Sequence, residues 1–199
     1  MQADFSVELG AADPVLSVPW SADDGQLHYY DLRRQPEMLL YIAEASRHAE
    51  LGQFLATVNS RGSELQSAKC DAWFSTKLNE EEDVYGAACK AVGYVDLFFA
   101  PERLRFSFNA YEELAGDLTR LLKLAPEISA AAEFIIRRCY FGADDSAADV
   151  SEGFYLTFYA SGYGDDETEA WQRWGIAMKL VENAILQISA QRSRAMPPR

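Results

Sequence analysis

The sequence predicts an α+β fold in which an antiparallel sheet of about five strands carries helices on one face. Helical stripes of apolar residues occur at 36–58, 109–124 and 166–191, each with start or stop signals. Between them lie five runs with strand-like composition, three and then two. The predicted order is therefore helix, three strands, helix, two strands, helix, after an N-terminal extended arm.

Turn signals and composition divide the chain into an arm, a domain and a tail. The length of 199 residues is typical of one domain with room for an extension. Residues 1–35 are rich in turn signals and are expected to pack on the domain as an arm or hairpin, with Gln26–Leu32 as a strand. Residues 36–191 form the predicted α+β domain. Residues 192–199 are basic and contain proline, which predicts a disordered tail.

Each predicted helix begins at a residue suited to a helix N-terminus. Pro36 opens the first helical region, because a proline in the first turn loses no hydrogen bond. Asn109 begins the second helix and has the spacing of a capping box to Glu112. Asp166 and Glu169 repeat this spacing at the last helix, whose apolar stripe is the longest in the chain.

Five runs predict the strands of the sheet. The second run contains Gly86 and Gly93, where a break or bulge is expected. The last two runs flank an acidic loop at 142–152, which predicts a hairpin with a long connection. The five predicted strands are Leu65–Thr76, Val84–Phe99, Arg103–Phe108, Ala132–Phe141 and Gly153–Ser161.

The charge balance excludes some classes of partner. The chain has 18 Lys and Arg against 31 Asp and Glu, a formal net charge of −13. Such a chain repels phosphate backbones and anionic lipid, so neither nucleic acid nor a membrane surface is an expected partner. Basic protein partners, cations and uncharged ligands remain open.

The cysteine pattern and the first residues favour a cytoplasmic protein. Cys70, Cys89 and Cys139 are an odd number without C-x-x-C spacing, so they do not form a disulfide framework. The first residues lack the positive start and apolar stretch of a signal peptide. No run has the roughly 18 apolar residues that a membrane-spanning helix requires.

No sequence motif of catalysis or metal binding is present. The two histidines, His28 and His48, lack zinc-ligand spacing, and no G-x-S-x-G nucleophile motif occurs. The sequence therefore predicts neither a metal nor a cofactor and favours a non-catalytic protein.

Strand alternation places small apolar residues on one sheet face and aromatic and charged residues on the other. Tyr and Trp are enriched at protein interfaces, and an aromatic groove also suits a small ligand. Either Arg137 or Arg138 joins the aromatic face, since the sequence leaves open which side chains of the predicted strand Ala132–Phe141 point to that face. The candidate partner- or ligand-binding residues are Lys69, Asp71, Trp73, Lys90, Tyr94, Asp96, Tyr155, Thr157 and Tyr159.

The order of elements resembles the secretion-chaperone-like fold of type III secretion chaperones and the related YbjN-like bacterial proteins. The resemblance covers roughly residues 36–191 and is carried by the helix starts at Pro36, Asn109 and Asp166 with the five strand runs between them, not by a motif. It implies a small, acidic and usually dimeric protein that holds segments of a partner and catalyses nothing. The arm is a departure from that pattern.

Three functional hypotheses follow. The leading one is a non-catalytic, cytosolic protein-binding module, chaperone- or adaptor-like and homodimeric, whose partner is another polypeptide. The second is a small-molecule-binding or sensory domain with a pocket beside Trp73 and Tyr94. The third is a small enzyme in which Asp71 or Asp96 works with Lys90. The aromatic face is alternatively an outer surface that the arm partly covers.

Overall fold

Pairs of strands alternate with helices along the chain, and the fold is α+β. The computed structural model describes residues 1–143 and 146–195. Two short 3-10 helices, Pro36–Tyr41 and Glu80–Tyr85, accompany the main elements. In chain order these are β1 (Gln2–Glu8), β2 (Leu16–Val18), α1 (Ala43–Arg47), α2 (Ala49–Val58), β3 (Leu65–Ser75), β4 (Cys89–Phe99), α3 (Glu102–Arg105), α4 (Phe108–Lys123), β5 (Ala130–Ala143), β6 (Ser146–Gly164) and α5 (Glu167–Ala195).

The strands form one mixed sheet of six, in the order β1-β5-β6-β4-β3, with β2 also paired to β5. The predicted antiparallel arrangement is therefore wrong, because the sheet is mixed. The four strands of the domain are antiparallel, but β1 and β2 run parallel to β5. Both strands belong to the first half of the predicted arm, which is therefore part of the sheet and does not only pack on it.

The third predicted strand, Arg103–Phe108, is also wrong, because this segment begins with α3. The guanidinium of Arg105 donates to the carbonyl oxygens of Phe99 at 2.9 Å and Ala100 at 3.1 Å. The side chain thus holds the chain in a turn over the end of β4, where an extended strand would have led away from it.

The two long helices begin at or near the predicted positions. The cap of α4 is Ser107, two residues before the predicted Asn109, and its hydroxyl accepts the Ala110 N–H at 3.4 Å. Before α5, Asp166 accepts the backbone N–H of Glu169 at 2.9 Å, as the sequence predicted. These side chains satisfy N–H groups that have no partner within the helix.

Three further segments differ from prediction or lie partly outside the described residues. The predicted strand Gln26–Leu32 is a turn with one isolated bridge, between Ser21 and His28. The predicted tail at 192–199 starts inside α5, which continues through Ala195, whereas 196–199 lie outside the described residues. In the predicted acidic loop the strands extend to Ala143 and from Ser146, and residues 144–145 are not described.

The main core lies between one face of the sheet and the helices α2, α4 and α5. Trp174 of α5, Tyr111 of α4 and Phe54 of α2 are fully buried there. Phe134 and Phe158 stack on neighbouring strands beneath them, with ring centroids 5.4 Å apart. The prediction that the helices lie on one face is confirmed.

The axis of α5 lies unusually close to β6, and glycine permits the approach. A Cβ at residue 162 would collide with the backbone nitrogen of Trp174 and lie 2.5 Å from the carbonyl oxygen of Ala170. Since backbone atoms cannot rotate away, Gly162→Ala should lower the free energy of unfolding by at least about 3 kcal/mol.

Gly116→Ala in α4 is the matched control, because nothing lies within 4 Å of its added Cβ. It should stabilise the protein by about 0.5–1 kcal/mol, since alanine favours a helix more than glycine does. Urea denaturation of both variants measures the difference. Equal stabilities of the two variants would contradict the close packing of α5 on β6.

Candidate functional site

The strand register places all nine predicted site residues on the sheet face turned away from the helices, called here the outer face. On β3 and β4, Lys69 lies opposite Asp96 and Asp71 opposite Tyr94. On β6, Tyr159 is next to Tyr94. The pairing also settles the phase of β5. The outer face carries Lys69, Asp71, Trp73, Lys90, Tyr94, Asp96, Arg137, Tyr155, Thr157 and Tyr159.

The arm, residues 1–35, covers one end of the outer face. It crosses from β2 to β3, where the indole N–H of Trp20 donates to the Ala68 carbonyl at 2.8 Å. Beneath it lies a second, smaller core that includes Tyr155. Tyr155 is therefore a core residue, and its predicted availability to a partner is wrong.

The connection between β3 and β4 covers the opposite end of the outer face. Within it, Glu82 accepts hydrogen bonds from the Lys90 ammonium at 2.7 Å and the Tyr163 hydroxyl at 2.8 Å. The rings of Tyr85 and Tyr163 stack 3.9 Å apart. Lys90 is thus already neutralised by Glu82, so the predicted pairing of Lys90 with Asp71 or Asp96 is not assembled.

A chain of buried polar side chains crosses the middle of the sheet. The Thr157 hydroxyl donates to Asp96 at 2.7 Å and accepts from Arg137 at 2.9 Å. The other side of the Arg137 guanidinium is bound to Glu8 of β1 at 2.7 Å. Asp96 and Thr157 are buried, so their predicted role in direct binding gives way to an internal one.

Burial raises the pKa of Asp96 to about 6, although the hydrogen bond from Thr157 and the charge of Arg137 act in the opposite direction. Between the ordinary aspartate pKa of 3.8 and this raised pKa, the Asp96 carboxyl is therefore protonated in the folded protein, whereas the same carboxyl is ionised in the unfolded chain. The stability gained from the protonated carboxyl is complete below pH 3.8 and is lost as the pH rises through about 6.

The Asp96→Asn variant lacks this titration. As the pH rises from 3.8 to about 6, the unchanged protein should lose about 3 kcal/mol of its free energy of unfolding through the ionisation of Asp96. The variant should show no such loss, so the difference in stability between the two proteins should change by this amount in favour of the variant. Urea denaturation across this range measures the difference. Asp71→Asn makes the same chemical change at an exposed position of the outer face and serves as the control. A pH-independent difference for Asp96→Asn would contradict the raised pKa.

The accessible part of the outer face lies beside β3, at the edge of the sheet. Lys69 and Asp71 are exposed, and Tyr94 and Tyr159 are half-buried. The ring of Trp73 lies 6.4 Å from that of Tyr94, which is 5.7 Å from that of Tyr159. Of the predicted residues, these five are the ones that an external molecule can reach directly.

A cavity of about 280 Å³ opens against the same edge. Its walls come from the arm, from residues 41–44 and from β3, with Tyr94 behind them; Trp73 lies outside its lining. The pocket predicted beside Trp73 and Tyr94 is therefore found at Tyr94 but not at Trp73, and its walls from the arm and residues 41–44 were not predicted, because these distant segments carry no motif. Its aromatic walls are Trp20, His28, Tyr30, Tyr41 and Tyr94.

Exposed apolar side chains lie on the segments that form this edge. Leu27 and Tyr41 line the cavity and are 67% and 70% exposed, Leu40 precedes Tyr41 in the chain and is 80% exposed, and Trp73 of β3 is 39% exposed. We call these four residues, the cavity and the outer side of β3 the edge patch. Exposed apolar clusters of this kind mark interaction surfaces more often than scattered single residues do.

Carboxylates dominate the electrostatics inside the cavity. Burial raises the pKa of the Cys70 thiol to about 12, and the charges of Glu44, Asp71 and Asp96 add to the shift. Burial likewise raises the pKa of the Tyr94 hydroxyl, and Asp96 and Asp71 again reinforce it. The thiol is therefore uncharged and unreactive at neutral pH, and the interior of the cavity favours a positive charge.

Neither a family model, nor a curated protein, nor a solved structure matches the chain. In the described part of the chain, no group of three or more His, Cys, Asp or Glu side chains is placed to hold a metal ion. None of the helices formed by these residues has the length and hydropathy needed to span a bilayer. The edge patch is therefore the candidate functional site.

Proposed function

We propose that the protein is a non-catalytic binding module that holds an extended segment of another polypeptide along the outer side of β3. One observation carries the proposal. The eleven-residue strand β3 is hydrogen-bonded to β4 on one side only, and the edge patch surrounds its other side. An extended peptide that adds to such an edge gains main-chain hydrogen bonds, and its alternate side chains enter adjacent pockets.

Outward-facing backbone groups of β3 support this geometry. The Ala72 N–H is accepted by the carboxylate of its neighbour Asp71 at 2.7 Å, and the Ala68 carbonyl accepts from Trp20. These two backbone groups pair with side chains because no strand in residues 1–143 or 146–195 pairs with this side of β3. The ladder beyond Ala68 is thus available to another chain.

The opposite edge of the sheet is a poorer candidate. It is divided between β1 and the three-residue β2, so its hydrogen-bonding groups do not form one continuous row. The intervening segment leaves the sheet between Glu8 and Leu16. A single long segment therefore pairs better with β3.

The cavity is small enough to be filled by one side chain of a bound peptide. Ligand pockets commonly enclose about 300–1,000 Å³, and this cavity of about 280 Å³ lies just below that range. It suits one long side chain of a bound segment. Holding an extended partner segment is also what the resemblance to secretion chaperones implies. That relationship, the homodimer and the cytoplasmic location remain predictions.

The proposal is tested by selecting binders from a random library of peptides of about twelve residues. The strongest peptide is then remade with N-methyl groups on alternate backbone nitrogens, in both possible phases. In one phase the methyl groups remove the bonds to β3, so affinity measured by fluorescence anisotropy should fall by at least about tenfold. The other phase is the matched control and should bind like the parent peptide.

On the protein, Trp73→Ser should weaken the same peptide by about tenfold, because exposed tryptophans beside a docked segment contribute strongly to binding. Leu186→Ser, an exposed apolar residue of α5, is the control and should leave affinity unchanged. A library without binders, or binders indifferent to both N-methyl phases and to Trp73, would overturn the proposed function.

A further inference from the structure

The cavity of the edge patch combines apolar surface with charged groups in its walls. Leu32, Ile42 and Leu55 supply apolar surface, and five aromatic rings surround the space. Glu44 and Asp71 also line it. A basic side chain would give these carboxylates a further partner, which a neutral apolar side chain would not, and an acidic one would be repelled by them.

Neither carboxylate is committed to a strong internal ion pair. Glu44 contacts Arg47 at 2.9 Å, but the Arg47 side chain is 63% exposed. Such surface pairs contribute little free energy, so Glu44 can exchange this partner at small cost. Asp71 is exposed and binds only the neighbouring Ala72 N–H among the hydrogen bonds recorded for the described residues.

The protein itself shows that a cation suits these walls. The ammonium group of Lys69 lies 5.3 Å from the ring centroid of Trp20. An ammonium or guanidinium is attracted to an aromatic face, and the attraction increases as water is excluded. The four remaining rings line the same cavity, and no Lys or Arg of the described residues lies over them: His28, Tyr30, Tyr41 and Tyr94.

We infer that the segment held along β3 inserts a lysine or arginine side chain into this cavity, with its charged end between Glu44 and Asp71. The inference rests on the proposed function and adds the chemistry of the partner. A long alkyl stem packs on Leu32 and Ile42, and the cation meets the carboxylates and rings that line the cavity.

Charge also argues against a second copy of this chain as the occupant. Each copy carries a formal net charge of −13, so two copies repel each other, whereas a basic segment is attracted. A basic segment therefore complements both the cavity and the whole surface of the protein.

The same peptide library tests the inference. One position of the selected peptides should be fixed as lysine or arginine, and replacing that residue by norleucine should weaken binding about tenfold. Glu44→Gln should weaken the basic peptide by roughly fivefold but leave the norleucine peptide unchanged. Glu113→Gln removes an equal charge from the exposed side of α4 and should affect neither peptide.

Several outcomes would overturn the inference while the proposed function stands. These are N-methyl-sensitive binding without a fixed basic residue, or equal effects of Glu44→Gln and Glu113→Gln, which would indicate general charge attraction.

Other outcomes would overturn the proposed function as well. Lysine amide binding as tightly as the peptide would indicate a small-molecule site and would overturn both proposals. A doubled mass in ultracentrifugation, abolished by Trp73→Ser, would assign the edge to a second copy.

Discussion

The parallel pairing of β1 and β2 with β5 is the constraint on which the rest of the structure depends. It makes β1 and β2 one edge of the sheet and fixes the start of the arm, so that the following residues must cross the outer face to reach the helices. Arg33 then secures the far end of the arm by donating to the carbonyl oxygens of Ser60, Arg61 and Ser63. As a result both ends of the outer face are covered, one edge is divided between two strands, and within the described residues no strand pairs with the outer side of β3.

The buried polar chain explains how a parallel edge strand is held in register. Arg137 is buried, and its desolvation would be costly without Glu8 on one side and Thr157 with Asp96 on the other. Because these partners come from β1, β6 and β4, a shift of β1 by one residue would turn Glu8 to the other face and leave Arg137 incompletely paired. The network thus specifies the alignment that positions the arm.

Local patterns predicted the local structure well and the long-range pairing poorly. Alternation along β3, β4 and β6 placed nine side chains on the correct face, because side-chain direction depends only on strand period. Nothing within residues 2–8 indicates that they pair with residues 131–137, and Arg103–Phe108 alternates like a strand although Arg105 holds it in a turn. The walls that the arm and residues 41–44 give to the cavity were not predicted for the same reason, since they meet Tyr94 only in the folded chain.

Asp71 connects the open edge to the chemistry proposed for its partner. In the free protein its carboxylate occupies the Ala72 N–H, and charged groups on an edge strand also discourage pairing with unsuitable chains. A bound segment whose carbonyl oxygen accepts the Ala72 N–H in its place releases this carboxylate. If the segment carries a cation, the released charge gains a new partner in the cavity, whereas with an apolar segment it gains none. Strand pairing and charge recognition therefore reinforce each other, and the edge selects basic segments over neutral ones of equal β-propensity.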